Sequence, residues 1–283
     1  RRWHMEYLFR LSASIIWRDI FPHPCFLKKN QNILLLRWWF PGSVEFREEQ
    51  VGIYNACYKL SILITLFIQA FKMGAEPFFF KQAEGANPQR VYARVMKFFV
   101  IIISVMFLVV SMFMPIWQHF IGPKYWAGLS VVPILLLANM FLGIYYNLSI
   151  WYKLSHKTGS GALITIIGAG ITILFNFAFI PRYGYMACAW TTLLCYGSMM
   201  LISYSWGQKA YRIPYATKKL LAYMVIMLLL FFLHKGIVSL IDNIYLGLGS
   251  AFLLLSAYCW FIALIERKEL AKFPVIGRYF DKP

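Results

Sequence analysis

Residues 98–117 read FFVIIISVMFLVVSMFMPIW, a run of 20 residues that contains no charged side chain. A helix needs about 20 mainly apolar residues to cross the hydrocarbon core of a bilayer, which is roughly 30 Å thick. This run therefore predicts a transmembrane helix. A second unbroken run, LLAYMVIMLLLFFL at residues 220–233, predicts another.

Similar apolar runs recur along most of the chain, and together they decide the fold class. Hydrophobic residues make up 60% of the sequence and charged residues 14%, whereas soluble domains are about 45–50% apolar and about 25% charged. We therefore predict an all-α, polytopic helical membrane protein with about seven transmembrane helices. The predicted spans are residues 51–72, 98–121, 128–151, 161–181, 184–206, 218–238 and 243–265.

The net charge of +17 is distributed unevenly between the two sides of these spans. Most basic residues lie after the first, third and fifth spans and in the C-terminal tail, whereas the alternate connections hold only Lys124, Arg182 and Lys235. Cytoplasmic loops of membrane proteins are enriched in Lys and Arg. We therefore predict a multi-pass protein with a cytoplasmic C-terminus, and we attribute the basic charge to membrane orientation and not to nucleic acid binding.

The two ends of the chain differ from its middle. Residues 1–30 are basic and aromatic, are interrupted by Pro22 and Pro24, and form neither a continuous apolar span nor a signal peptide. We expect this atypical segment to be out of frame or misjoined and not to be a folded domain, in a chain that is truncated. The remaining organisation is a helical bundle at 31–240, a last transmembrane helix at 241–265 and a basic cytoplasmic tail at 266–283.

The residue types that carry catalysis or bind metals are poorly represented. The five cysteines include no CxxC pair, and the five histidines are scattered without HxxxH spacing. No acidic residue falls in the middle of a span, and neither a P-loop nor a GxSxG motif is present. We predict no enzymatic activity, no metal site and no cofactor.

The first span carries most of the polar residues that a membrane helix would use for function. Asn55, Tyr58, Thr65, Gln69, Lys72 and Glu76 recur at three- and four-residue steps and so fall on one helical stripe. Lys72 and Glu76 have the i,i+4 spacing of a structural ion pair.

Lys59 lies one turn beyond Asn55, about nine residues into the span. Exposure of its ammonium group to lipid would cost about 2.5–3.5 kcal/mol on insertion scales. Two interpretations stay open: Lys59 lines a wet cavity or meets an anion there, or its side chain extends toward the outer interface.

Amide residues in the third span add further candidates. Asn139, Gly143 and Asn147 share a helical face, which is typical either of helix packing or of a ligand contact. Taken together, the cavity-lining, substrate-binding candidates are Lys59, Asn55, Gln69, Asn139 and Asn147.

Four stretches of this sequence resemble the C-terminal half of a bacterial polysaccharide-biosynthesis flippase of the O-antigen type. Such flippases belong to the multidrug/oligosaccharidyl-lipid/polysaccharide exporter superfamily. The most specific stretch opens with G-x-Y-x-x-x-Y-K-L and ends with A-E-P-F-F-F. The stretches are LLLRWWFPGS (34–43), VGIYNACYKLSILITLFIQAFKMGAEPFFFKQA (51–83), NLSIWYKLSHKT (147–158) and FIPRYGYMACAWTT (179–192).

This resemblance implies a fold, a substrate and a location. The family fold has two helical bundles facing each other across a central cavity, of which this chain would supply one. The resemblance implies flipping of an undecaprenyl-pyrophosphate-linked oligosaccharide for lipopolysaccharide or other surface polysaccharide, in the bacterial inner membrane. Partners would be that substrate, membrane lipid and other polysaccharide assembly proteins. Lys59 falls on the Y-K-L lysine, and Glu76 and Pro77 fall on the A-E-P turn; no catalytic residues are implied.

Other functions stay open at this stage. A cation-coupled multidrug or metabolite antiporter of the same superfamily would be expected to place acidic residues in its spans, which this chain lacks. A membrane glycan polymerase or ligase would need longer outer loops than the predicted ones. A non-functional gene fragment is the remaining alternative, and the opening at residues 1–30 favours it.

Overall fold

The computed structural model describes residues 44–240 and 243–270, with side chains described from Glu49 onward except those of residues 268 and 270. The expectation that residues 1–30 form no part of the bundle lies outside the described residues. The same holds for most of the predicted tail, from residue 271 to the C-terminus.

Helices account for nearly all of the described residues. Two 3-10 helices, Gln118–Phe120 and Pro123–Val131, lie between the third and the fourth α-helix. The α-helices are α1 (Val44–Gln82), α2 (Pro88–Met112), α3 (Met114–Trp117), α4 (Val132–Leu148), α5 (Ile150–Leu154), α6 (Thr158–Tyr183), α7 (Tyr185–Ala210), α8 (Thr217–Leu240), α9 (Ile244–Ile265) and α10 (Arg267–Leu270).

Seven helical segments of the described chain are long and apolar enough to cross a membrane, and the described residues contain no strand. The predicted all-α, polytopic class is therefore confirmed. The segments are Glu49–Gln82, Pro88–Met112, Pro123–Leu154, Thr158–Tyr183, Tyr185–Ala210, Thr217–Leu240 and Ile244–Ile265.

Helix α1 is longer than the predicted first span and runs nearly three turns beyond residue 72. The A-E-P segment lies inside this helix and does not form the turn that the resemblance implied. Phe79 explains the extension, because its ring packs edge-on against Tyr92 at 5.2 Å and the Tyr92 hydroxyl donates to the Phe79 carbonyl at 3.0 Å. These tertiary contacts with α2 stabilise the part of α1 that follows Pro77. Pro77 itself is exposed.

The second and third spans also differ from the predicted limits. Helix α2 begins at Pro88, ten residues before the predicted span, and ends at Met112. The helix is interrupted at Phe113, because Pro115 lacks the backbone N–H that a continued helix needs. The third span then starts as a 3-10 helix at Pro123 and becomes α-helical only at Val132.

Helix α4 lies at the centre of the bundle and contacts α1, α2 and α7. Helix α6 packs on α7, whereas α8 and α9 pack on α2. The centre is tight at Gly143, where an added Cβ would lie 2.5 Å from the Phe99 ring. Small residues let membrane helices approach closely, so Gly143 allows α4 to sit against α1 and α2.

The α6–α7 hairpin turns at Gly184, which has a φ of +56°. An added Cβ there would also lie 3.0 Å from the Gln50 amide oxygen. We expect Gly184→Ala to lower the free energy of unfolding by about 1–2 kcal/mol, because an L side chain is strained in this backbone region. Thermal unfolding of the detergent-solubilised protein measures the effect. Gly170→Ala is the control, since its Cβ would meet nothing within 4 Å; equal stability of the two variants would contradict the prediction.

The connections that carry the basic residues meet at one end of the bundle, which we call the basic end. Phe79, Tyr92, Ile150 and Ile213, which lie next to these connections, pack into one cluster. At the opposite end, the Tyr185 hydroxyl donates to the Ala127 carbonyl at 3.3 Å. The connections that are rich in basic residues therefore lie at one end of the bundle and the connections that are poor in them lie at the other, as the charge pattern predicted. The assignment of the basic end to the cytoplasm stays a prediction.

Topology reporters test that assignment. We expect reporters fused after Lys97, Lys157, Arg212 and Lys272 to report a cytoplasmic location, because basic loops are retained on that side. Reporters near Lys124, Arg182 and Asn243 should report an external location. A cytoplasmic signal at Arg182 would contradict the whole topology.

Candidate functional site

Three of the predicted candidates lie together on the outside of α1. Asn55, Lys59 and Gln69 are all exposed, and we call these three residues the α1 polar face. They are interspersed with exposed apolar side chains, among them Leu66 and Met73. The face is therefore a line of polar side chains among exposed apolar ones on a membrane-spanning helix.

Lys59 lies well inside the span. Gln50 marks the opposite end of the bundle, because it lies beside the Gly184 turn. Lys59 follows Gln50 by nine residues, which corresponds to about 14 Å along the helix. An ammonium group at this depth is costly unless it meets water, an anion or another protein surface.

The basic end of α1 borders a cleft that we call the Glu76 cleft. It lies between α1, α4 and α5, is partly open to the outside and has free space for about one water molecule. Its polar and aromatic lining consists of Phe71, Lys72, Glu76, Phe79, Tyr146, Asn147, Ser149 and Lys153. Lys72 and Glu76 lie on the flank of the same helical stripe as the α1 polar face, so the cleft and the face are neighbours.

Glu76 is held by two lysines. Its Oε1 lies 2.6 Å from Lys153 Nζ and 3.9 Å from Lys72 Nζ. The Lys72 ammonium also lies 4.5 Å from the centre of the Tyr146 ring, within the range of a cation–π interaction. The close partner, Lys153, was missed in the sequence because it is 77 residues from Glu76 and looks like an ordinary basic loop residue.

The two candidate asparagines of α4 have different surroundings. Asn147 is 5% exposed and lines the Glu76 cleft; its Nδ2 donates to the Gly143 carbonyl at 3.2 Å. Its Oδ1 is buried and accepts no hydrogen bond from the described residues. Asn139, which is 4% exposed, lies inside the bundle and does not line the cleft.

The structure thus separates the predicted candidates into three places. Asn55, Lys59 and Gln69 form the α1 polar face, Asn147 lies in the Glu76 cleft, and Asn139 is buried away from both. The periodicity of the sequence places a residue on a helical face, but it does not show which neighbouring helix covers that face.

A second polar cluster at the basic end involves Glu266, which the sequence placed in the tail. The Glu266 side chain is 2% exposed and that of Lys97 11%. Glu266 accepts hydrogen bonds from Lys97 Nζ at 2.5 Å and from the Tyr223 hydroxyl at 2.6 Å, and Lys219 Nζ lies 3.5 Å away. Glu269 adds contacts to Lys97 and Arg94, each at 3.3 Å.

The balance of burial and charge keeps Glu266 ionised. Burial by itself would raise the pKa of this carboxyl group. The hydrogen bonds from Lys97 and Tyr223, together with the charges of Lys97 and Lys219, outweigh burial and hold the pKa below its ordinary value of 4.5. The cluster therefore joins α2, α8 and the end of α9 as a charged, hydrogen-bonded contact at neutral pH.

Neither cluster has the donor set of a metal centre. Within residues 44–240 and 243–270, no group of three or more His, Cys, Asp or Glu side chains is placed to hold a metal ion. The cluster at Glu76 instead combines one carboxylate with two lysines, and the cluster at Glu266 combines two carboxylates with three basic side chains. Such arrangements are suited to ion pairing and to hydrogen bonding with anionic or hydroxylated groups.

Comparison of this chain with family models, with curated proteins and with solved structures finds no match, so no relative assigns a role to these residues.

Proposed function

We propose that this protein flips a lipid-linked oligosaccharide across a membrane for cell-surface polysaccharide synthesis. The substrate class is an oligosaccharide on an undecaprenyl-pyrophosphate carrier, and the membrane is the bacterial inner membrane with the basic end in the cytoplasm. The α1 polar face forms one wall of the path, facing a second helical bundle across a cavity.

The observation that carries this proposal is the exposure of Lys59, Asn55 and Gln69 on a membrane-spanning helix. A diphosphate with a sugar head must cross about 30 Å of hydrocarbon. Such a head group needs a wet groove with a cation and with amide groups that replace its water, while its polyprenyl tail stays in lipid. The α1 polar face offers both kinds of group, arranged along the direction of transport.

The neighbouring Glu76 cleft supports the same function. The α1 polar face runs along α1 toward the basic end, where Lys72, Glu76 and Lys153 continue the series of polar groups. A head group leaving the cytoplasm would meet this cleft first and the α1 polar face next. The order of these groups thus fits a path from the basic end toward the opposite end.

Reconstitution of the full-length protein in liposomes tests the proposed function. The vesicles carry a fluorescent polyprenyl-diphosphate oligosaccharide, and a membrane-impermeant glycosidase measures the share of glycan that reaches the outer leaflet. We expect the protein to bring the inner-leaflet glycan to the enzyme, with sodium and proton gradients of either sign included as conditions. A soluble fluorescent glycan enclosed in the vesicles is the control for leakiness, because the glycosidase cleaves it only if the vesicles leak. If the glycan stays as protected as in protein-free vesicles under every gradient, the proposal is wrong.

A further inference from the structure

The charges around Glu266 do not cancel. The carboxylates of Glu266 and Glu269 contact three basic side chains, and we call these five residues the Glu266 cluster; the basic members are Arg94, Lys97 and Lys219. The cluster therefore carries one net positive charge. Lys97 is nearly buried, whereas the side chains of Arg94 and Lys219 are 52% and 55% exposed. The excess charge thus lies at the surface, where it attracts an anion.

Further basic residues lie beside the exposed part of this cluster. Arg90 lies one helical turn before Arg94 at the start of α2, and Lys218 directly precedes Lys219 at the start of α8. Arg267 follows the end of α9, and all five side chains are exposed. We call these five residues the basic patch. Counted with the remaining members of the Glu266 cluster, six basic and two acidic side chains give a net charge of +4.

Exposed apolar side chains begin next to the basic patch. Leu221, which is 61% exposed, follows Lys219 by two residues on α8. Leu264 and Ile265, which are 57% and 43% exposed, are the last residues of α9 before the Glu266 cluster. Basic and apolar surface thus meet within about one turn at the ends of two membrane-spanning helices. A phospholipid has the same order of groups, with its phosphate at the head and its acyl chains in the hydrocarbon.

We infer that the basic patch binds the head group of an anionic phospholipid. The phosphate accepts hydrogen bonds from exposed guanidinium and ammonium groups of the patch, and the acyl chains pack on the apolar side chains of α8 and α9. Arg94 contacts Glu269 through Nε, which leaves its Nη atoms for a phosphate oxygen. Basic sites between membrane helices are suited to anionic lipid head groups. The inference does not depend on the proposed transport function.

Native mass spectrometry of the purified full-length protein measures this binding. The protein, in a neutral detergent, is mixed with equal amounts of phosphatidylglycerol and phosphatidylcholine that have the same acyl chains. We expect at least about tenfold more bound phosphatidylglycerol, because only this lipid has a net negative charge and each nearby Lys or Arg contributes about fivefold. Equal binding of the two lipids would overturn the inference.

Arg90→Gln combined with Lys218→Gln locates the site without altering the Glu266 cluster. Both side chains are exposed, so we expect the double variant to fold like the wild type and to bind phosphatidylglycerol at least about tenfold more weakly. Lys124→Gln combined with Lys235→Gln is the matched control, since it removes two exposed lysines near the opposite end of the bundle. Wild-type binding by the first variant, or an equal loss in the control, would refute a site at the basic patch.

Glu269→Gln tests the role of charge with the opposite sign. It removes one of the two negative charges of the Glu266 cluster, while Lys97 keeps its contact with Glu266 at 2.5 Å. We expect several-fold tighter binding of phosphatidylglycerol, because the carboxylate no longer competes for Arg94. Unchanged or weaker binding by this variant would contradict an anion site beside the cluster.

Competition separates a lipid from a free phosphate compound. Glycerol 3-phosphate offers a phosphate group without acyl chains. We expect it not to displace phosphatidylglycerol at equal concentration, because it lacks the apolar contacts of the chains. Displacement at equal concentration would assign the basic patch to a soluble phosphate compound and would overturn the assignment to a lipid.

Discussion

Replacing Lys59 with alanine is expected to reduce translocation of the lipid-linked oligosaccharide at least about tenfold, because a hydrogen bond to a charged group is worth about 1.5–3 kcal/mol. In the proposed path, this ammonium binds the diphosphate part-way across the membrane. Lys59→Arg should keep partial activity, since the charge persists while the shape of the donor changes. The vesicle assay with the fluorescent glycan measures both variants at matched protein level.

A matched control separates this role from a general loss of basic charge. Lys235→Ala removes another exposed lysine, which lies on α8 near the end of that helix that is opposite the basic end. We expect this variant to transport at the wild-type rate. If Lys59 only extends toward the interface, Lys59→Ala and Lys59→Gln will be tolerated equally, because a neutral residue inserts more easily there. Wild-type transport by Lys59→Ala would remove Lys59 from the path.

Neutralising Glu266 is expected to have the largest effect on stability. Glu266→Gln leaves Lys97 without its closest carboxylate in a contact that is almost completely buried. Breaking a buried ion pair costs about 3–5 kcal/mol, and we expect about 2–3 kcal/mol here because Glu269 still contacts Lys97. Chemical unfolding of the detergent-solubilised protein measures the change. Glu84→Gln, which alters an exposed glutamate of the α1–α2 connection, is the control.

The pH dependence of this effect has a definite sign. The folded state lowers the pKa of Glu266, so its stabilising contribution is fully present above the ordinary value of 4.5 and is lost as the pH falls through the lowered folded value. The difference in stability between the wild type and Glu266→Gln should therefore be large at neutral pH and shrink in acid. A difference that is independent of pH would mean that the charge of Glu266 does not stabilise the fold.

Two apolar replacements of similar size test whether the cluster stabilises the fold through charge or through side-chain packing. Lys97→Met combined with Glu266→Leu removes both charges and keeps most of the side-chain volume. Because replacing a whole buried pair is often neutral, we expect the double variant to recover most of the stability that Glu266→Gln loses. Additive losses in the double variant would contradict this account of the cluster.

Hydropathy was sufficient to predict which parts of the chain cross the membrane, because apolar length is a local property of the sequence. It was not sufficient to place the limits of the helices. Helix α1 continues through Pro77 because Phe79 and Tyr92 hold its end against α2, and this contact joins residues that are 13 apart. The break at Phe113, by contrast, has a local cause in Pro115, which the sequence displays.

The candidate site was harder to predict than the fold, because its contacts join distant parts of the chain. The Glu76–Lys153 pair spans 77 residues and the Lys97–Glu266 pair spans 169. Nothing in the local sequence around Glu266 distinguishes it from a solvated residue of the tail. Likewise, Asn139 and Asn147 look alike in the sequence, and the packing of α1 and α5 against α4 is what brings Asn147 alone into the cleft.

Hydration of the α1 polar face is the central claim, and labelling of engineered cysteines by a membrane-impermeant thiol reagent measures it directly. Lys59→Cys and Gln69→Cys are compared with Leu174→Cys and Ile166→Cys in a background without native cysteines. These control positions on α6 are 66% and 65% exposed and lie at matching distances from the Gly184 turn. We predict rapid labelling at residues 59 and 69 and slow labelling at residues 174 and 166. Equally slow labelling at all four positions would show that lipid covers the α1 polar face and would contradict the proposed path.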